Sequence, residues 1–410
     1  MKPLGPIPAG FGTLEGELAI DGSRVSELVE HAGDTPLFVY SGTMIAARVA
    51  RLRAAMPSRL AIHYAVKANP YAPVVKLMAG LVDGFDIASA GELAMVGAAG
   101  IAPERVSFAG PGKRNAELEA AIASGVTLNL ESMGEATRAL AVADRLGMVP
   151  RLAVRVNPPF DLKGSGMKMG GGARQFGIDA EKVPEVIRFI RGAGADWRGL
   201  HIFAGSQALD PAAISATQVQ TLALAAQIAE AVGVPLPSLN LGGGFGIPYF
   251  PGDSALDIES IGQKLAVEFG NLPQAIAETR ICIELGRWLV GEAGVYLTRI
   301  VDRKESHGEV FLVTDGGLHH QLAASGNFGT VIRRNYPVAI ASRFAEPATE
   351  EASVVGCLCT PLDRLADKAH FPRAEVGDLV AVFCAGAYGA SASPTAFLGQ
   401  GPAGELLLPG

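Results

Sequence analysis

Cysteine is scarce in this chain: four residues in 410, at positions 282, 357, 359 and 384. That excludes a disulfide scaffold, which is short and cysteine-dense, and the uneven spacing fits reduced thiols. Charge is also low, at 18%, against 49% hydrophobic residues. A disordered chain has the opposite balance. There is no basic excess, since the net charge is −7; a nucleic-acid partner is therefore not expected. No apolar run reaches the ~18 residues of a membrane span. The start of the chain, Met1-Lys-Pro-Leu-Gly-Pro-Ile-Pro, lacks the apolar stretch of a signal peptide. These absences lead to the expectation of a cytoplasmic, globular protein with no membrane partner. Glycine is abundant, at 51 residues, but without the period of three that marks collagen.

What is present is a rhythm. Short, almost continuously apolar runs alternate with alanine-rich helical stretches from about residue 42 onward. The strand-like runs are Ala61–Lys67, Gly84–Ser89, Arg105–Gly110, Thr127–Glu131, Arg151–Asn157, Gly199–Gly205, Ser238–Gly244 and Arg280–Gly286. Such runs are characteristic of parallel strands covered by helices. Eight of them across ~250 residues predict a (β/α)8 barrel, with a doubly wound open sheet as the competing arrangement. The rhythm stops near residue 290. Val295–Val301 and Glu309–Thr314 flank His307-Gly308, which predicts a hairpin. Ser353–Leu358 and Asp378–Cys384 are further β runs. The expected division is a barrel over 36–289 and a second, all-β domain from 1–35 and 290–410.

Barrels of this kind build their chemistry at the C-terminal ends of the strands. The polar residues there are Lys67, Asp86, Ser89, Glu131, Asn157, His201, Ser206, the Gly242–Gly246 cluster, Glu284 and Arg287. Ser89-Ala-Gly-Glu92 reads as a helix-capping box rather than as a site. Lys67 closes an apolar strand; it either snorkels to the rim or, desolvated, forms a Schiff base with an aldehyde. Gly242-Gly-Gly-Phe-Gly246 suits close approach of backbone to phosphate. It is not a dinucleotide fingerprint, because Ile247 occupies the third glycine position, and Gly110-Pro-Gly-Lys113-Arg114 is not a nucleotide-binding P-loop. Glu284 either protonates a pyridine nitrogen or pairs with Arg287, and His201 either stacks on a flat ring or is a core histidine. Cys357 and Cys359 lack a second cysteine pair, and His319-His320 is a weak complement, so no metal is expected. Cys359 is either structural or a functional thiol in a Gly/Pro/Asp-containing loop.

Taken in order, these motifs resemble the fold-type III pyridoxal-phosphate (PLP) decarboxylases, the family of diaminopimelate, ornithine and arginine decarboxylases. Tyr64-Ala-Val-Lys67-Ala-Asn69 is similar to the family's PLP-lysine segment, and Asp86-Ile-Ala-Ser-Ala-Gly-Glu-Leu93 to its next strand end. His201-Ile-Phe-Ala-Gly-Ser206 resembles the stretch carrying the ring-stacking histidine and a phosphate-binding serine. Gly243, Gly244 and Gly246 fall in the phosphate loop. Glu284-Leu-Gly286-Arg287 is similar to the family's Glu-Pro-Gly-Arg, with Leu285 for proline. Cys359 falls at the catalytic cysteine and Tyr388 at the C-terminal tyrosine near the cofactor phosphate.

The resemblance implies PLP as cofactor, and a homodimer with shared active sites in which Cys359 reaches the partner's barrel. It implies a Lys67 internal aldimine, decarboxylation through a quinonoid stabilised by Glu284, and protonation by Cys359. Racemases of this fold place arginine at the ring nitrogen, so Glu284 argues against them. Diaminopimelate and ornithine decarboxylases carry an acid for the distal amine; here Thr360 follows Cys359 and that acid is absent. Arg287, Arg333, Arg334 and Tyr336 are candidate binders of a carboxylate or carbonyl, with Thr360 and Tyr388 completing the candidate substrate contacts. The long loop Asp161–Gln175, with Lys163 and Lys168, and the segment Gly356-Cys-Leu-Cys-Thr-Pro resemble the glutamyl–acyl-carrier-protein decarboxylase branch known from butirosin biosynthesis. The expected substrate is an amino acid without a free distal ammonium, either free or linked to a carrier protein. The alternatives are meso-diaminopimelate decarboxylation in lysine biosynthesis and a non-catalytic, PLP-binding regulator.

Overall fold

The computed structural model describes residues 2–326 and 334–410; the candidate Arg333 lies outside the described residues. The chain forms two compact units: Val49–Gly246 with Leu256–Gly286, and Met1–Arg48 with Ile247–Ala255 and Arg287–Gly410.

Eight strands of the first unit form its main sheet: β1 (Ala61–Ala65), β2 (Gly84–Ile87), β3 (Val106–Phe108), β4 (Thr127–Leu130), β5 (Arg151–Asn157), β6 (Asp196–Ile202), β7 (Ser238–Gly243) and β8 (Arg280–Leu285). Each pairs in parallel with the next, and β8 pairs with β1, so the sheet closes. This is the (β/α)8 barrel that the strand count implied, not the open sheet. Helices follow the strands, for example Ala90–Ala98 after β2 and Met133–Leu146 after β4. Ser89 and Ser132 cap these two helices, accepting the N–H of Glu92 and Glu135 at 3.1 and 3.0 Å. The capping reading of Ser89 therefore holds. The helix after β7, Ile258–Gly270, ends before Pro273, which cannot continue it.

Register decides what the barrel encloses. Arg155 is level with His201, His201 with Asn240, and Asn240 with Cys282. Glu284 is level with His63, and Asp86 with Ser107. Side chains alternate across a strand, so these residues share one face. The opposite face carries fully buried Ile62, Phe85, Leu128, Val154, Ile202, Leu239 and Ile283. Runs that look uniformly apolar are thus two-faced: an apolar side under the helices and a polar side facing inward. Barrels are ordinarily filled by branched apolar residues, so the polar face marks this barrel's interior as a site.

The second unit is built on an eight-stranded sheet. Gly294–Ser306 is its long central strand, paired with Glu309–Thr314, Leu379–Val382 and Leu37–Ser41. The expected hairpin is present: His307 and Gly308 have φ of +53° and +79°, both positive as a two-residue type I′ turn requires. Leu37–Ser41 falls within the span 36–289 expected for the barrel. In the structure it pairs antiparallel with Gly294–Leu297 and in parallel with Gly404–Leu408. All five residues are buried, and the ladder satisfies their backbone groups. The core of this unit gathers Leu18, Ile20, Val39, Val295, Leu297 and Phe383.

Candidate active site

The barrel's polar face opens on a cavity of about 370 Å³ lined by Lys67, Asp86, Lys113, Arg155, His201 and Glu284 among others. That volume is within the range of small-molecule sites, ~300–1,000 Å³.

Lys67 sits in a single helical turn, Val66–Ala68, directly after β1. Its Nζ lies 3.8 Å from Glu284 Oε1 and 5.7 Å from the Phe203 ring. The side chain is 48% exposed, so the amine stands at the cavity rather than sealed in the wall. Glu284, on β8, is buried and takes His201 Nε2 at 2.8 Å and Asn240 Nδ2 at 3.4 Å. Burial alone would raise its pKa. The His201 hydrogen bond, and then the charges of His201, Lys67 and Arg155, outweigh burial and hold the carboxyl well below the usual carboxylate range. Arg287 belongs to the other unit, where its Nη1 donates to Tyr249 Oη at 2.6 Å.

Asp86 Oδ2 lies 3.1 Å from His63 Nδ1. Asp86 Oδ1 and His201 Nδ1 are buried and have no partner among the described residues. Buried polar atoms are ordinarily satisfied, so these two are open for a bound group. Glu131, a strand-end candidate by sequence, accepts from Arg155 Nη1 at 2.8 Å, and Arg155 is the partner that sequence reasoning missed. Glu131 also accepts the N–H of Gly110 at 2.7 Å and of Gly177 at 2.8 Å. Lys113 is a buried cation 2.7 Å from Glu135. The available signal was a charge inside an apolar run: Arg155 stands between Val154 and Val156.

The glycine cluster follows β7. Gly242 and Gly244 have φ of +69° and +79°, which only glycine adopts freely. A Cβ at Gly243 would stand 1.9 Å from Glu284 O, and one at Gly244 2.3 Å from Gly205 O. The glycines are therefore demanded first by neighbouring backbone, and the loop they form lies beside Ser206. Ser206 is half-buried and its strand pairs with Met167–Lys168. The long loop 161–175 is thus tied down: by that pairing, and by Asn157 Nδ2 donating to Gly172 O at 2.9 Å. Gly286 packs where a Cβ would meet the Ala68 Cβ at 2.7 Å.

The remaining candidates lie in the β unit. Arg287 lies 4.7 Å from the Tyr388 ring, and Tyr388 has a φ of +61°. Tyr336 is buried and stacks on Tyr249 at 4.8 Å. Burial pushes the Tyr249 phenol up to about 12, so it stays neutral as it accepts from Arg287. Arg334 is exposed, its guanidinium 3.9 Å from the Phe250 ring. Cys359 is exposed at the centre of a tight turn in which the Thr360 N–H donates to Leu358 O at 2.7 Å. The turn is held by buried Asp363, which accepts the N–H of Leu318 at 2.7 Å and of Leu358 at 2.9 Å. Cys357 is exposed as well, while Cys282 and Cys384 are buried.

A lysine amine and an ionised acid in one cavity, beside a glycine loop, fit a pyridine aldehyde phosphate. Residues 43–291 match the family model for the pyridoxal-binding domain of pyridoxal-dependent decarboxylases. The chain belongs to this family of carboxy-lyases. It is 36% identical to the L-glutamyl-[BtrI acyl-carrier protein] decarboxylase of Niallia circulans over 95% of this chain and 92% of that one. It is 32% identical to diaminopimelate decarboxylase of Methanothermobacter thermautotrophicus, over 92% and 88%. Among solved structures, Helicobacter pylori diaminopimelate decarboxylase with L-lysine superposes with a TM-score of 0.81 at 27% identity, covering 93% of this chain and 94% of that one.

Proposed function

We propose that this chain decarboxylates an amino acid whose distal end carries no free ammonium, as a free substrate or an aminoacyl group on an acyl carrier protein. The observation that carries the reading is Lys67 Nζ 3.8 Å from Glu284, which its surroundings keep ionised.

Lys67 would hold PLP, Glu284 would face the ring nitrogen and His201 the ring. Ser206, Gly243, Gly244 and Gly246 would serve the phosphate. Bound there, the cofactor supplies an electron sink for the pair left when the C–CO2 bond breaks. Glu284 keeps a proton at the ring nitrogen, which an acid held so far below its ordinary pKa does as a fixed anion. Cys359 is the proton donor to the α-carbon. Its exposure supports a homodimer in which Cys359 of the partner subunit completes each site. We place the enzyme in the cytoplasm; among the described residues no helix is long and apolar enough to cross a membrane.

Thr360 in place of an acid, and the glutamyl-carrier relative, support the carrier-linked substrate. The diaminopimelate relatives favour meso-diaminopimelate as a second reading. CO2 release from free amino acids, from meso-diaminopimelate and from a glutamyl-loaded acyl carrier protein separates the two. Turnover of the carrier-linked substrate, or of a free amino acid without a distal ammonium, is the expected result; robust turnover of diaminopimelate would overturn it.

A further inference from the structure

His63 is among the ionisable groups inside the barrel that have no part in the scheme above. His63 sits on β1, level with Glu284 on one side and Gly84 on the other. Its Nδ1 is 3.1 Å from Asp86 Oδ2, while Asp86 Oδ1 is buried and uncommitted. Asp86 and Lys67 line the same cavity. The neighbouring strand is shaped around the imidazole: a Cβ on Gly84 would stand 2.4 Å from His63 Nε2. A side chain at position 84 would drive the ring off Asp86, because packed interiors leave no slack at that distance. Glycine at 84 and histidine at 63 thus belong to one arrangement.

The charged and titratable groups facing His63 are Asp86 on β2, and Cys282 and Glu284 on β8. Glu284 is already engaged by His201 at 2.8 Å. Burial opposes a charge on the ring, but Cys282 and Asp86 beside it raise its pKa well above the ordinary 6.5. A raised histidine keeps its proton at neutral pH and loses it only as pH climbs through the raised value. Across the neutral range Nδ1–H donates to Asp86.

We propose that His63 is a positioning residue that grips Asp86 through one carboxylate oxygen and so fixes a second anion, besides Glu284, in the wall of the Lys67 cavity. A carboxylate tethered at one oxygen cannot swing between rotamers, and fixed charges of this kind act without reorganising when a ligand arrives. The inference rests on reading the cavity as the PLP site, and the fixed Asp86 charge favours the protonated forms of whatever nitrogens the cofactor and Lys67 bring there.

Two measurements test it. In the apoprotein, ring-nitrogen NMR should show His63 as an imidazolium at pH 7. In D86N its titration midpoint should fall by at least one unit, about tenfold in proton affinity. In the PLP-loaded protein, H63L should shift the midpoint of the pH-dependent visible absorbance by at least one unit and weaken PLP binding about tenfold. H63Q, which keeps a donor but no charge, should shift the midpoint while binding PLP within about threefold of wild type. His63 titrating near its ordinary value in both wild type and D86N would overturn the grip. Wild-type PLP affinity and spectra in H63L would overturn the positioning role. If neither wild type nor K67A takes up PLP, the cofactor reading fails instead, and the apoprotein titration still decides the His63–Asp86 contact.

Discussion

Glu131 tests how the barrel's polar face is held together. Its buried carboxylate takes Arg155 Nη1 at 2.8 Å, Gly110 N–H at 2.7 Å and Gly177 N–H at 2.8 Å. E131A would strand a buried guanidinium and two backbone donors. Breaking a buried ion pair from one side costs about 3–5 kcal/mol, and each stranded donor about 1–3 kcal/mol. The losses overlap as the two loops relax and admit water, so E131A should cost about 4–6 kcal/mol in all. R155M should cost less, about 2–3 kcal/mol, because the carboxylate keeps its two N–H donors. The double variant should be more stable than the sum of the singles predicts by at least ~1.5 kcal/mol, since removing both charges abolishes the stranded one. Trp197 lies in the barrel and Trp288 in the β unit. Urea unfolding in a W288F background, followed by tryptophan fluorescence, therefore reports the barrel. The Glu131 carboxyl is pulled two ways: burial raises it, but Arg155 and the Gly177 N–H win and lower it. A lowered carboxyl contributes stability above its unfolded pKa that is lost as pH falls through the folded one. The gap between wild type and E131A should therefore shrink in acid. An E131A cost below ~1 kcal/mol, or a cycle additive within ~0.5 kcal/mol, would refute the reasoning.

C359S should lower kcat by about 10²–10⁴-fold, the range of general acid catalysis, with PLP uptake and circular dichroism unchanged. C357S should stay within about twofold, as that thiol's pKa is raised by burial and by Asp363. Burial, then His319, lowers His320 to about 4 from 6.5. Its neutral form thus contributes stability above pH 6.5 that is lost as pH falls toward 4, about 3 kcal/mol over the window. Tm measured against pH should show that loss, and H320Q should flatten it. G243A should cost at least ~2 kcal/mol and abolish PLP binding, because its Cβ would stand 1.9 Å from backbone oxygen of Glu284. A soluble G243A that binds PLP normally would remove the glycine loop from the site.

The barrel was legible because its signal is repeated. Eight short apolar runs with helices between them admit few arrangements, and each run coincides with an observed strand. The hairpin at His307-Gly308 was legible because two positive φ values need residues of that kind. Strands without a composition signal were not. Arg364–Phe371, RLADKAHF, carries two positive charges and one negative, and Gly404–Leu408 follows a stretch rich in glycine and proline. Both form because partners are waiting, Glu350–Val355 and Leu37–Ser41, and partners are a tertiary fact.

The site divides the same way. Lys67, His201 and Glu284 were visible as polar residues ending strands, and the structure brings all three to one cavity. His63, Asn240 and Arg155 were hidden inside runs, because alternation of one polar residue among strongly apolar neighbours reads as a buried strand until the register is known. Register also changes the meaning of Glu284. By sequence its neighbour is Arg287, three residues on; by register its neighbours are His63 and the β7 strand that carries Asn240.

The build of the Cys359 turn bears on the substrate. Asp363 ties the turn through two backbone N–H groups and leaves no room for side chains at Gly317 or Gly356, whose Cβ atoms would each stand 2.2 Å from its oxygens. Thr360 Oγ1 is taken by its own loop, accepting the Leu362 N–H at 3.4 Å. A hydroxyl so placed is a weak counterpart for an ammonium, and it bears no charge. A cationic distal group brought to this turn would find no counter-charge in Thr360, a penalty that grows with whatever hydration it gives up there. A neutral distal group, such as the thioester of a carrier-bound aminoacyl chain, meets no such penalty. On the proposed reading the turn would discriminate by what it withholds from one class of substrate, and this asymmetry supports a carrier-linked substrate.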